Sequence, residues 1–257
     1  MSLLSAVDAG QEPRLELAAT LYLPSPPTQV PAPGLIVGHG AGGRRARHDV
    51  FCREACQRGF AVLALDFRDH GESSGEADGP LEEDVLAAAR FLRAHPAADA
   101  DSLCYRGSSM GGFYGLKAAS QAGFAAMALL CPASEDVILD AIADGEKADA
   151  DADATEDGAG TVGPGEAGPP RWDTAQLRSY FQRQDSRLLA ARVDCPVLLV
   201  HAREDDVVPF SHSVLLMEHL RTDKTPLALE GGTHTTAQHD PQIHCYSVAW
   251  LAAKLMH

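Results

Sequence analysis

A serine between two glycines is the first feature of this sequence that could do chemistry. The segment Gly107-Ser108-Ser109-Met110-Gly111 follows a short apolar run and precedes a helix-like stretch. This context predicts a tight strand-to-helix turn that presents the Ser109 hydroxyl at its apex. The backbone N–H of Met110 then lies unpaired at a helix N-terminus, where it suits a developing oxyanion. Ser109 is therefore a candidate nucleophile, although this short pattern alone is equally typical of an ordinary turn.

A serine hydroxyl becomes a strong nucleophile only when a base removes its proton and a third group orients that base. Two polar clusters follow predicted strands late in the chain. Residues 202–209 include Asp205, and residues 230–234 end in His234 after two glycines. Asp205 and His234 are therefore candidates for the orienting acid and the base.

Strands and helices are predicted to alternate around these residues. Apolar runs typical of strands occupy Arg14–Leu23, Gly34–Gly40, Phe60–Leu65, Ser102–Tyr105, Phe124–Cys131, Cys195–His201 and Pro226–Leu229. Helical patterns occupy about His48–Gln57, Leu81–Ala94, Met110–Gln121, Ser211–Leu220 and Pro241–Met256. The alternation predicts an α/β fold with a mostly parallel, doubly wound sheet and helices on both faces. Ligands bind such a sheet at the carboxyl ends of its strands, where the polar clusters fall.

Four motifs occur in order along the chain. They are His39-Gly40-Ala41-Gly42-Gly43, the Asp-x-Arg-x-His-Gly-x-Ser segment at residues 66–73, the serine turn, and the Asp-x-x-Val-Pro acid loop at residues 205–209. Together they resemble the α/β-hydrolase superfamily, in its serine esterase and serine aminopeptidase-like branch. Asp69 and Ala202 depart from the family pattern, because glycine is usual at both positions. The resemblance runs from about Leu15 to the C-terminus, apart from an acidic insertion, and it implies the α/β-hydrolase fold.

The resemblance also implies roles for particular groups. Ser109 would be the nucleophile, His234 the general base and then acid, and Asp205 the orienting carboxylate. The backbone N–H groups of Ala41 and Met110 would form the oxyanion hole. Neighbouring residues of the same types that remain alternatives are Ser108, Glu204, Asp206, His39, His239 and His244.

Residues 133–191 are expected to form a cap between two core segments, 1–132 and 192–257. From Ser134 to Pro170 there are eleven acidic residues and one lysine, and residues 143–170 have almost no large apolar side chains. That composition predicts a low-complexity, mobile segment. Helical periodicity returns after it, so we expect Trp172, Tyr180 and Phe181 to line an apolar substrate pocket over Ser109.

Composition excludes several other function classes. The formal net charge of −15 over 257 residues argues against binding to nucleic acid. No apolar run approaches the roughly 20 residues that span a membrane, so membrane insertion is not expected. The start of the chain lacks the pattern of a secretory signal, and the six scattered cysteines read as structural thiols. We therefore expect a cytoplasmic protein, with its oligomeric state undetermined.

The expected activity is that of a carboxylesterase-like serine hydrolase. It would cleave an ester or thioester of a small acyl substrate through an acyl-serine intermediate, with no metal or organic cofactor. The same triad would also serve an amidase, an aminopeptidase-like enzyme or an acyltransferase. A non-catalytic binding protein is the alternative from another class. Substrate identity, acyl chain length and leaving group stay open.

Overall fold

The computed structural model describes residues 2–4, 15–25, 31–153 and 174–256. In this part of the chain the strands form one sheet in the order β1-β2-β4-β3-β5-β6-β7-β8. The first two strands run antiparallel to their neighbours, and all the others are parallel. This confirms the predicted sheet. The strands are β1 (Ser2–Leu4), β2 (Glu16–Tyr22), β3 (Ala32–Gly38), β4 (Ala61–Leu65), β5 (Ala98–Ser108), β6 (Ala126–Leu130), β7 (Val197–Ala202) and β8 (Lys224–Leu229).

Helices connect the parallel strands and pack on both faces of the sheet. Those in the described residues are α1 (Asp49–Gln57), α2 (Glu82–Ala94), α3 (Met110–Ala122), α4 (Glu135–Asp153), α5 (Thr174–Phe181), α6 (Ser186–Ala190), α7 (Phe210–His219), α8 (His234–His239) and α9 (Pro241–Lys254). A short 3-10 turn, Arg45–His48, precedes α1. None of the described helices is both long enough and apolar enough to cross a membrane.

The parallel strands are apolar along their whole length because both faces of the sheet are covered. In β3, Ile36 packs in one apolar core with residues of α2 and α3. Its neighbours Leu35 and Val37 point to the other face and pack with residues of α1 and α9. This burial on two sides is the physical reason for the continuous apolar run.

The strand order reverses at β3, and this reversal positions the site. β3 pairs with β4 on one side and with β5 on the other. The connections that leave β3 and β5 therefore diverge to opposite faces and open a crevice at the carboxyl ends of these strands. The residues directly after Gly38 and Ser108 meet there.

Several elements differ from the sequence-based predictions; strand β1, for example, has no predicted counterpart. β5 begins at Ala98, four residues before the apolar run that predicts it. The apolar run starts later because the first half of the strand is partly exposed and carries aspartates. Helix α4 continues to Asp153, into the acidic segment predicted to be mobile from residue 143. Helix α8 had no predicted counterpart. The rest of the acidic segment, from residue 154, lies outside the described residues, as does Trp172.

Candidate active site

Ser109 lies on a sharp turn between β5 and α3, with backbone angles φ 50° and ψ −117°. A non-glycine residue at positive φ is uncommon and is characteristic of strained functional turns. The flanking glycines are sterically required, since a Cβ on Gly107 would lie 2.5 Å from the carbonyl oxygen of Gly111. A Cβ on Gly111 would in turn lie 2.6 Å from the carbonyl oxygen of Gly38. The alternative Ser108 is fully buried and lines neither the apolar nor the polar pocket beside Ser109, and its hydroxyl has no hydrogen-bond partner among the described residues.

His234 and Asp205 meet at the carboxyl ends of β7 and β8. The Nδ1 atom of His234 donates a hydrogen bond to Oδ2 of Asp205 at 2.7 Å. This bond leaves Nε2 of His234 as the acceptor nitrogen, and both His234 and Ser109 line the same pocket. Within the described residues no hydrogen bond joins the Ser109 hydroxyl to His234; catalytic hydrogen bonds of this kind commonly form only in the complex with substrate.

Asp205 is held by more groups than a single histidine. Its Oδ1 accepts the backbone N–H groups of Val207 and Val208 at 2.9 and 2.8 Å. Its Oδ2 also lies 3.2 Å from Nε2 of the buried His201. Burial alone would raise the pKa of Asp205, but hydrogen bonds from His201, His234, Val208 and Cys131 outweigh it and hold this pKa well below its usual range. Asp205 is therefore ionised near pH 7.

Ala41 lines both pockets beside Ser109, and Met110 lines the apolar one; their backbone N–H groups are the predicted oxyanion donors. Neither donates a backbone hydrogen bond to another described residue. His70 holds the loop that carries Ala41, because its Nε2 accepts a hydrogen bond from the Gly42 N–H at 3.2 Å. His39 donates from Nδ1 to the Gly40 carbonyl oxygen and accepts at Nε2 from a backbone N–H. Burial lowers the pKa of His39 to about 4, so it stays neutral and shapes the loop.

The segment at residues 66–73 supports this loop. Asp66 accepts the backbone N–H groups of Arg45 and Glu72, which ties the loop after β3 to the loop after β4. Asp69, which stands where the family usually has glycine, has φ 59°. That left-handed conformation explains the glycine preference, and aspartate is one of the few residues that tolerates it.

An apolar pocket of about 130 Å³ lies on one side of Ser109. Phe181 lines it, together with Leu177 from the same helix. Tyr180 does not line it, because its ring turns towards α2 and its hydroxyl donates to Glu82 at 2.6 Å. Four further wall residues come from α4, a helix that the acidic composition of this segment did not predict; they are Val137, Ile138, Ala141 and Ile142.

A second, polar pocket of about 270 Å³ lies on the other side of Ser109 and includes His234. The oxyanion loop forms one wall, from His39 to Gly43. His239, one of the alternatives to His234, also lines this pocket, and the remaining polar groups were not predicted as site residues; they are Arg47, His48, Thr235 and Gln238. They come from the 3-10 turn and from α8, so no local motif marks them.

A sequence model of the prolyl oligopeptidase family matches residues 54–256, most of the chain. The chain belongs to this family. It is thus a hydrolase of the α/β-hydrolase fold, as the sequence motifs implied.

Two relatives each match part of this chain. The quorum-quenching protein AidA of Acinetobacter baumannii is 32% identical over 124 residues, which cover 46% of this chain and 41% of AidA. The α/β-hydrolase domain-containing protein aho-3 of Caenorhabditis elegans is 38% identical over 47 residues, 18% of this chain and 14% of that protein. The matches therefore span less than half of the length of either relative.

Solved structures match over the whole fold. Est1E from Butyrivibrio proteoclasticus, with ferulic acid bound, superposes with a TM-score of 0.76 at 21% identity and covers 100% of both chains. The esterase EaEST from Exiguobacterium antarcticum gives a TM-score of 0.72 at 14% identity and covers 98% of this chain and 99% of EaEST. At these identities the likeness shows the fold.

Of the other candidate residues, His239 lines the polar pocket, His244 lies apart from the Ser109 site, and Glu204 and Asp206 face solvent. His239 stacks on His48 with ring centroids 5.3 Å apart, and His244 is buried with Nε2 against the Gln238 carbonyl oxygen. Asp206 contacts His234 only through a 3.4 Å bond from the backbone N–H.

His201 contacts Asp205 but was not predicted as a site residue, because in the sequence it is only the last residue of an apolar strand. With Cys131 and Asp205 it forms a cluster whose ligand-type atoms lie within 4.8 Å of one another. Its ring nitrogens are already engaged, since Nδ1 lies 2.5 Å from the Ser213 hydroxyl and Nε2 lies 2.9 Å from the Val208 carbonyl oxygen. These bonds make His201 a support for Asp205 and leave no free nitrogen for a metal ion.

Proposed function

We propose that this chain hydrolyses a carboxylic ester or thioester through an acyl-serine intermediate on Ser109. The observation that carries the proposal is the 2.7 Å bond between His234 Nδ1 and Asp205 Oδ2 in the pocket that also contains Ser109. A carboxylate that accepts from Nδ1 fixes the histidine tautomer that a serine nucleophile requires. A binding protein needs no such arrangement.

The reaction follows from these positions. Ser109 Oγ attacks the carbonyl carbon while Nε2 of His234 takes its proton, and the charge of the resulting imidazolium is stabilised by Asp205. The carbonyl oxygen becomes an oxyanion that receives the N–H groups of Ala41 and Met110. His234 then protonates the leaving oxygen or sulfur as its bond to carbon breaks. Water repeats the steps on the acyl-serine and releases the acid.

The two pockets favour a small ester over a protein substrate. They flank Ser109 with volumes of about 130 and 270 Å³, at or below the lower end of the range for drug-sized ligands. The apolar pocket would take the acyl chain. Amide cleavage is the second candidate, because the chain belongs to the prolyl oligopeptidase family. An acyl group transferred to an acceptor other than water would use the same residues.

The segment 133–191 would act as a cap. Residues of α4 and α5 contribute much of the wall of the apolar pocket, and Ser109 borders the same pocket. The core would then be residues 1–132 and 192–257. The cytoplasm remains the expected location, and the six cysteines are free thiols.

Hydrolysis of nitrophenyl esters of increasing acyl length, in parallel with a nitrophenyl thioester and a nitroanilide, tests the proposal. We expect turnover of short esters by the wild type and a loss of several orders of magnitude in Ser109→Ala. Faster cleavage of the anilide than of the esters would make amide hydrolysis the better assignment. Equal rates in the two proteins would refute Ser109 as the nucleophile.

A further inference from the structure

The polar pocket beside His234 has a charge opposite to that of the whole protein. Its described lining includes the exposed Arg47 and no aspartate or glutamate, although the chain carries a formal net charge of −15. The guanidinium of Arg47 makes no hydrogen bond or ion pair with another described residue. A cation at a pocket rim with no carboxylate partner is available to a ligand.

A second cation lies directly beneath the floor of this pocket. Arg106 is fully buried, and its Nη2 donates to the Gln238 carbonyl oxygen at 2.8 Å while Nη1 lies 3.4 Å from His48. Its guanidinium stacks over the Phe51 ring at 4.1 Å and forms no ion pair with any described carboxylate. The charge of Arg106 is therefore not neutralised locally, and its field reaches the pocket through low-dielectric protein.

The histidines in the pocket wall supply hydrogen bonds, and the arginines supply the charge. Burial, followed by the charge of Arg106, lowers the pKa of His48 well below its usual range and also lowers the pKa of His239. Both rings are neutral near pH 7. A neutral imidazole still offers an N–H donor to an anion.

The position of His234 identifies which part of the substrate enters this pocket. His234 lines the polar pocket and is absent from the lining of the apolar pocket, whereas Ser109 and Ala41 border both. The leaving oxygen must lie beside Nε2 of His234 to receive its proton. The leaving group therefore extends into the polar pocket, and the acyl chain enters the apolar one.

We propose that the polar pocket is a subsite for a carboxylate on the leaving group, bound by Arg47 within the field of Arg106. The substrate class is then an ester with an apolar acyl part and an alcohol or phenol that carries an acid. This inference rests on the proposed function for the direction of the reaction, but the pocket's selectivity for an anion can be measured without turnover.

The test compares two substrates that differ by one charge. Propionyl esters of 4-hydroxybenzoate and of 4-hydroxybenzamide share an acyl group and a ring, and each rate is divided by its own hydroxide-catalysed rate. We expect the wild type to favour the carboxylate ester in kcat/KM. Arg47→Gln should reduce this preference by about 5- to 10-fold, the factor for one charge-assisted hydrogen bond at a solvent-accessible site. Arg47→Lys should restore part of the preference.

Arg44→Gln is the matched control, because Arg44 is an exposed arginine three residues earlier that does not line the pocket. It should leave the substrate ratio unchanged. Equal rates for the two esters in the wild type, or an equal drop in the ratio for both arginine variants, would overturn the subsite. If neither ester is cleaved, the nitrophenyl ester series with Ser109→Ala decides the proposed function separately, and calorimetry with 4-hydroxybenzoate and 4-hydroxybenzamide decides the subsite. Tighter binding of the carboxylate that is lost in Arg47→Gln supports it, and equal binding refutes it.

Discussion

Replacement of Asp205 by asparagine should abolish most activity without unfolding the protein. Oδ1 of Asp205 accepts two backbone N–H groups at 2.9 and 2.8 Å, so the amide oxygen of an asparagine is forced into that position. The amide NH₂ then replaces Oδ2, which lies 2.7 Å from Nδ1 of His234. Two donors now face each other. His234 can relieve this only by moving its proton to Nε2, and it then cannot accept the proton of Ser109.

The size of the loss follows from the function of that proton. A wrong histidine tautomer in a serine triad lowers kcat by about 10⁴, or about 5 kcal/mol of transition-state stabilisation. We expect kcat for a nitrophenyl ester to fall by about 10³ to 10⁴ in Asp205→Asn, with KM changed less than about threefold. Thermal unfolding, monitored by circular dichroism, should show a folded protein, because the substitution keeps the size and shape of the side chain.

Asp206→Asn is the control for this prediction. Asp206 is the exposed neighbour of Asp205 and, with Glu204, one of the two alternative acids in this loop. Its carboxylate meets only the backbone N–H of His234, at 3.4 Å, so its loss should change kcat less than about threefold. If Asp205→Asn keeps more than a tenth of wild-type kcat, or if Asp206→Asn is the more damaging change, the assignment of Asp205 is refuted.

Three further predictions concern the apolar pocket, the turn at Ser109 and the buried His244. Phe181→Ala should shift the kcat/KM profile of nitrophenyl esters towards longer acyl chains, whereas Tyr180→Phe, off the pocket, should not; matching profiles would contradict the pocket assignment. Gly107→Ala should cost about 2–4 kcal/mol in urea unfolding, since its methyl group would meet a carbonyl oxygen at 2.5 Å; wild-type stability would contradict this clash. Burial, aided by a nearby arginine, lowers the pKa of His244 to about 4, so the unfolded chain binds a proton first as pH falls below about 6.5. The melting temperature should therefore fall between pH 6.5 and 4, and fall less in His244→Gln than in the control His95→Gln; equal slopes would contradict this.

The fold and the candidate chemistry were predictable where local sequence rules apply. The turn at Ser109 needs glycine on both sides for steric reasons, and a stretch of a few residues reveals that need. Asp205 and His234 are 29 residues apart, but each follows a strand, and parallel strands place their carboxyl ends together. Topology alone therefore brought the two side chains to one edge of the sheet.

The pockets were not predictable in the same way, because their walls come from segments with no common pattern. Arg47 follows β3 and Gln238 lies on α8, and nothing local relates them. The sequence of α4 does contain a helical signal, because Val137, Ile138 and Ile142 form an apolar stripe at helical spacing. The acidic composition of the whole segment outweighed this stripe in the prediction. Tyr180 and Phe181 are adjacent on one helix, so periodicity could not decide which of them faces the pocket.

Covalent labelling of Ser109 is the most direct test of the acyl-serine mechanism. A nitrophenyl alkylphosphonate reacts with an activated serine and leaves a stable adduct, which intact-protein and peptide mass spectrometry locate. We expect one adduct per chain on the peptide that contains Ser109, the same labelling in Ser108→Ala, and none in Ser109→Ala. Labelling of Ser109→Ala at the wild-type rate, or an adduct elsewhere in the wild type, would contradict the mechanism.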